Sequence, residues 1–307
     1  MAKGPPKLPK HHYIPVFYLS QWADGSGRLS EFSRPNGRSE VSVRPTGPKG
    51  TGYERGLYRL TGVPEDVSEA VERKFMAQVD SLAKKTLDVL LGEDTSAWTV
   101  PSRSAWSRFV TGLIFRNPER VSEARKFLED FWLHDYDTRV EEYNRVKKPS
   151  DPDYIDYIAS SAERVGLRFT MDQIDNTTIG GRINEMEWWT IDVTKVGRKL
   201  FTSDRPVILE HGLARPHSYL LLPISPTRLF LATNTREQAN RLRAIPNREL
   251  VKSVNKHAIR RAQRFAWGTD KTELGFVAKH LSQEAHLDID FFRTPRAQLA
   301  SDENAGI

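Results

Sequence analysis

The sequence predicts an α+β fold, a central helical block packed on a mostly antiparallel sheet with an N-terminal hairpin. Three observations carry this. Residues 67–91, 102–116 and 117–145 place apolar side chains at helical spacing. Residues 188–232 break instead into short apolar or alternating runs separated by Gly, Pro and Asp. The period-2 segments 29–33 and 40–43 enclose Pro35-Asn36-Gly37, a turn sequence that accepts positive φ.

Taken in order, residues 1–10 are rich in Lys, Gly and Pro and predict a flexible tail ahead of a single domain over 11–268. The hairpin follows, then a Gly/Pro-rich loop over 44–56. Helix 67–91 carries Val71, Phe75, Val79, Leu82, Leu87 and Leu90 on one stripe, with Ser68 and Glu69 as start signals. Helix 102–116 turns Trp106, Phe109, Val110, Leu113 and Ile114 to one side. Asn117 reads as the N-cap of a third helix, with Pro118 at its first position and Glu119 facing the positive end of the dipole. That helix is expected to reach Arg145, and Pro149 and Pro152 then break the chain. Helices over 153–166 and 171–184 complete the block.

Runs at 188–193, 200–202, 207–209, 219–222 and 229–232 are expected to form one sheet. Asn247 opens a helix to Gln263, and Phe265-Ala266-Trp267 reads as a closing strand. Residues 269–307 form a C-terminal extension with one weak helix, and Ser301–Ile307 are expected to be disordered.

Composition narrows the function. A hydrophobic content of 38% over 307 residues is enough for a sizeable core. The absence of cysteine excludes disulfides, thiolate zinc sites and cysteine nucleophiles. The opening MAKGPPKLPKHH has no apolar stretch, and no run approaches the ~20 apolar residues of a bilayer span. A cytoplasmic protein without a membrane partner is expected. The net charge of +6 favours anionic partners, nucleic acid foremost. No Walker-type phosphate loop, dinucleotide glycine fingerprint, zinc-protease helix or Gly-x-Ser-x-Gly elbow is present.

Asp204 is the first candidate. In Phe201-Thr202-Ser203-Asp204-Arg205-Pro206-Val207 a carboxylate sits where an apolar strand stops and a proline turn begins. Such a group serves as an acid, a base or a metal ligand, or it shapes the corner as a hydrogen-bond acceptor. His11 and His12 are adjacent on a strand, so they point to opposite faces and at most one enters a given site. That one acts as a general base or ligand, or the pair belongs to a tethering strand. Arg116 follows Leu113 by three residues and Phe109 by seven, which puts a cation on an apolar helix face. It either binds an anionic group or sits in a structural ion pair, for which Asp80 is the candidate partner. Glu72 reads as part of a solvated face. Asn255 faces inward on its helix, to orient a catalytic group or to serve as a satisfied core amide. Lys252, Lys256 and Arg260 share one stripe, with Arg261 and Arg264 beside it. They suit a phosphate-tracking surface or an ordinary solvated face.

With these residues in view, His11-His12-Tyr13-Ile14-Pro15-Val16-Phe17-Tyr18-Leu19 resembles the opening of the domain-of-unknown-function 4238 family of bacterial proteins. Arg116-Asn117-Pro118, Thr202-Ser203-Asp204-Arg205-Pro206-Val207 and the late Asn255 helix extend the resemblance over residues 10–268. The matching positions it implies are His12, Pro15, Tyr18, Leu19, Arg116, Asp204, Pro206 and Asn255. Asp80 stands where such proteins more often carry Glu. The resemblance brings no activity with it; it implies that these separated polar residues belong together.

The resulting expectation is a hydrolase or nuclease acting on a phosphate-containing or nucleic-acid substrate. Asp204, His12, Arg116 and Asn255 would be catalytic, and Asp204, Asp80 and His12 would hold a divalent metal such as Mg. Lys252, Lys256, Arg260 and Arg261 would attract the nucleic acid. The alternative is a non-catalytic module that binds nucleic acid or protein, with the same polar residues forming a buried structural network.

Overall fold

The computed structural model describes residues 8–35, 39–61, 63–64, 70–92 and 98–285. The Asn36-Gly37 turn, the start signals Ser68 and Glu69, most of the tail 1–10 and the end Ser301–Ile307 lie outside the described residues. Secondary structure mixes helices with antiparallel sheets, so the fold is α+β.

The chain opens with β1 (Lys10–His12) and the short α1 (Val16–Leu19). β2 (Leu29–Ser33) and β3 (Ser42–Thr46) pair as the expected hairpin, with Phe32 opposite Val43. The second strand begins later than the sequence suggests and runs through Pro45. A proline is tolerated there because β3 is an edge strand. The stretch expected to be loop also holds β4 (Tyr53–Arg55), which pairs with β1 and sets His12 opposite Tyr53.

A π-helical turn, Val71–Met76, leads into α2 (Ala77–Leu91). α3 (Val100–Phe115) ends at Arg116, and Asn117 caps α4 (Pro118–Leu133) by accepting the Arg120 amide at 2.9 Å. The expected single helix to Arg145 is broken. Asp135 leaves the helical region at φ −118°, ψ 50°, and its carbonyl accepts the Arg139 amide to start α5 (Tyr136–Val146). α6 (Tyr154–Ile174) runs past its expected end at 166 because Gly166 is a packing contact rather than a stop. A Cβ there would meet Arg125 Cγ of α4 at 3.0 Å. α7 (Thr177–Glu185) follows, capped by Asn176.

β5 (Glu187–Asp192), β6 (Thr202–Ser203), β7 (Ile208–Glu210), β8 (Tyr219–Ser225) and β9 (Arg228–Thr233) occupy the expected strand region. They do not form one sheet. The order β5-β9-β8-β7 leaves out β6, which pairs instead with β10 (Phe265–Gly268) in the order β3-β2-β10-β6. Pro206, between β6 and β7, has no amide hydrogen to extend a ladder, and the chain crosses there from one sheet to the other. α8 (Arg236–Arg243) was not legible because only Gln238 and Ala239 of it are buried; Thr235 caps it. α9 (Asn247–Arg261) and α10 (Leu274–His280) end the described chain.

Aromatic rings join the layers. Phe230 of β9 meets Trp106 of α3 at 5.7 Å and Trp188 of β5 at 5.1 Å, edge to face in both cases. Among the described residues, no helix is long and apolar enough to cross a membrane.

Candidate functional site

β1 sends its two histidines to different surroundings. His11 is buried, stacks on Tyr58 at 5.4 Å and accepts the Tyr58 amide on Nδ1 at 2.9 Å. His12 is partly exposed and meets the edge of Tyr53. Burial pushes the His12 imidazole below its ordinary value, and the charges of Lys10 and Arg116 act in the same direction. A backbone hydrogen bond with Lys49 works against them. Nε2 is buried without a hydrogen-bond partner among the described residues, so the Lys49 contact falls to Nδ1. His12 is thus neutral at pH 7, with its proton on Nδ1 and its lone pair on Nε2.

Arg116 ends α3 with no exposed surface. Its Nε donates to the Tyr13 carbonyl at 2.9 Å and its Nη1 to Asp80 Oδ1 at 2.8 Å, forming the ion pair that helical spacing suggested. Nη2 has no partner among the described residues. The Tyr58 hydroxyl donates to the Arg116 carbonyl at 3.0 Å. Burial pushes the Asp80 carboxyl up, the guanidinium pulls it down, and the net shift is upward. One quarter of the Asp80 side chain is exposed, so Asp80 is the open side of a sealed pair. Glu72 belongs here too, since its charge acts on both Arg116 and Tyr58. A regular helix placed it on the solvated side. The π turn at 71–76 adds a residue and rotates it, and such turns recur at functional sites.

Asp204 is placed differently. It is buried, Oδ1 accepts the Gln263 amide at 2.8 Å, and Oδ2 accepts the Arg264 and Phe265 amides at 2.6 and 2.9 Å. Its own amide donates to the Phe265 carbonyl at 3.0 Å. Burial raises its pKa to about 6 against the pull of those three amides. The carboxyl therefore locks the end of α9 and the start of β10 onto β6. Asn255, inward-facing as its spacing implied, also bonds backbone at both ends. Its Oδ1 accepts the Phe201 amide and its Nδ2 donates to the Lys199 carbonyl, each at 2.9 Å.

The structure therefore pairs Asp80 with Arg116, whose charge reaches His12, and holds Asp204 and Asn255 in separate backbone contacts. No hydrogen bond or ion pair among the described residues joins the two groups. Tyr13 lies between them: its carbonyl takes Arg116, and its hydroxyl lies 3.4 Å from Arg264 Nη2, next to the Asp204 corner. Among the described residues no three His, Asp or Glu side chains gather as a metal site would require.

The basic stripe is reduced in the same way. Arg260 pairs with Glu284 at 2.5 Å and Arg264 with Glu54 at 2.9 Å, while Arg261 Nη1 lies 3.3 Å from His257. Lys252 and Lys256 stay exposed, without a carboxylate partner among the described residues. One polar cluster escaped sequence reasoning. Buried Glu31 bonds Arg44 at 2.6 Å and the Thr51 hydroxyl, which also takes the Trp267 indole at 3.0 Å. The hairpin register, which sets Glu31 opposite Arg44, held the signal.

A model of the family described as Protein of unknown function (DUF4238) matches residues 10–272, and the chain belongs to that family. Comparison with curated proteins and with solved structures gives no match.

Proposed function

We propose that this member of the family is a hydrolase acting on a phosphate-containing substrate, such as a nucleic acid, with its reacting groups at His12 and Asp80. The observation that supports this most is the unpartnered Nε2 of His12. A neutral imidazole whose other nitrogen is held by a backbone carbonyl is set to take a proton from a water or a hydroxyl. Asp80, partly exposed and with a raised carboxyl, is placed to orient the attacking water or to protonate a leaving oxygen. Arg116 is a positioning residue, because it is sealed from solvent: it fixes Asp80, and its charge adds to the burial that lowers the His12 imidazole.

The test is turnover of bis-p-nitrophenyl phosphate and of a labelled single-stranded oligonucleotide, with and without Mg. His12→Gln should lower the rate at least about a hundredfold, the range general bases supply, with an unchanged melting temperature. A wild-type protein that turns over neither substrate, or a His12→Gln variant as active as wild type, overturns the reading.

The second reading, a non-catalytic binding module, is favoured by Asp204 and Asn255, whose bonds all go to backbone. In that case Lys252 and Lys256, with Arg260 and Arg261 released from their present partners, would hold a nucleic acid. Binding would weaken steeply with salt, by about 0.7 in log–log slope per phosphate of a single strand.

A further inference from the structure

A recess of ≈ 650 Å³ opens between the loop after β5 and α9, lined by Val196, Gly197, Arg198, Arg248, Lys252 and Glu273. Its shape follows from the sequence. Gly197 takes φ +74°, which lets the loop turn back and present Arg198. Arg248 and Lys252 are four residues apart on α9, so they stand one turn above the other on the same face. Both are exposed, and neither has a carboxylate partner among the described residues. Arg198 is held more firmly. Its Nη2 donates to Glu273 at 2.5 Å and its guanidinium lies over the Phe276 ring at 4.3 Å. Its Nε is buried without a partner among the described residues, and a buried donor of that kind calls for an acceptor.

The wall thus carries three cations against one carboxylate. A concave surface focuses such a field and concentrates anions. The volume is that of a small-molecule site rather than of a flat surface. The lining mixes polar with apolar surface, and the cations are the groups that recognise an anion.

We infer that this recess binds the phosphates of a small phosphorylated ligand of nucleotide size. Arg198 is the fixed donor on one wall, and Arg248 and Lys252 close on the anion from the helix. The site uses none of the residues at His12 and stands whether or not that centre is catalytic.

The test is calorimetric titration of the full chain with ADP, inorganic pyrophosphate and a short single-stranded oligonucleotide, at about 50 mM salt where phosphate contacts are strong. The variants are Arg248→Ala/Lys252→Ala, two exposed positions whose loss leaves the core untouched, and Lys256→Ala, one turn beyond the recess. ADP or pyrophosphate should bind the wild type and lose about tenfold or more in the double variant, roughly 1.4 kcal/mol, with Lys256→Ala unchanged. Equal affinity for the two small probes means that the phosphates alone are held, and tighter ADP means that the nucleoside is held as well. If only the oligonucleotide binds, and the double variant weakens it by the same factor, the phosphates come from a strand and the inference of a small ligand fails. No binding of any probe to the wild type, or a loss no larger in the double variant than in Lys256→Ala, overturns the inference.

Discussion

The Asp204 corner and the region of His12 and Arg116 are both polar and both tied to the segment around Tyr13, yet their hydrogen bonding is finished to different degrees. At the corner, every side-chain oxygen of Asp204 meets a backbone amide, and Asn255 clamps the neighbouring strand at both ends. In the other region, Arg116 makes two bonds and leaves Nη2 without a partner among the described residues, and His12 leaves Nε2 in the same condition. Buried polar groups that are all satisfied stabilise a fold and define its geometry. Buried donors and acceptors left open are costly to folding and persist where function uses them. The same residue types therefore call for different expectations in the two places.

The largest effect should fall on the corner. Asp204→Asn retains one oxygen but sets an NH2 group against amide donors, leaving at least one buried donor unmet. It should destabilise the protein by about 3–5 kcal/mol, measured by urea unfolding at pH 7. A loss below about 1 kcal/mol would mean the corner is not what holds β10 to β6. The pH dependence carries the same signature. With the folded pKa raised from 3.8 to about 6, the folded state holds the extra proton between those values. Stability then falls as pH rises from about 4 to 6, and Asp204→Asn should lack that slope. Next in size is Asn255→Ala, which strands the Phe201 amide and the Lys199 carbonyl and should cost about 2–3 kcal/mol by the same measurement. If Asn255→Ala instead spares stability and removes an activity, the division between the two regions fails.

How much of this was legible depended on how local the determining forces were. The hairpin, the Asn117 cap with Pro118 and the Asp80–Arg116 pair follow from periodicity and capping within one or two segments, and each appears in the structure. The assignment of β6 to a second sheet did not follow, because it depends on β10 some sixty residues later. The same distance hid the true partners of Asp204. Its position beside Pro206 was visible, but the three amides that fill it belong to residues 263–265. Glu72 was misread because one extra residue in a π turn changes which face a side chain occupies, and no side-chain pattern announces that turn. The helix expected to end at 166 continues because Gly166 lets α6 pack closely against Arg125 of α4, a contact that only the neighbouring helix reveals.

The smallest effect on stability belongs to His12 and separates the regions most sharply. His12 is partly exposed and makes few contacts, so His12→Gln should change unfolding free energy by less than about 1 kcal/mol. Its sign with pH is opposite to that of Asp204. The folded imidazole titrates below 6.5, so between its lowered pKa and 6.5 the unfolded chain holds more protons. Stability must rise with pH through that window, and His12→Gln should flatten the rise. If His12 is the proton acceptor, the rate of hydrolysis climbs with pH through the same lowered pKa, with the midpoint of the limb below 6.5. A rate limb centred above 6.5 would assign the proton transfer to another group, even if His12→Gln were inactive. A slope in stability without any limb in rate would make the region of His12 and Arg116 a second, looser structural corner.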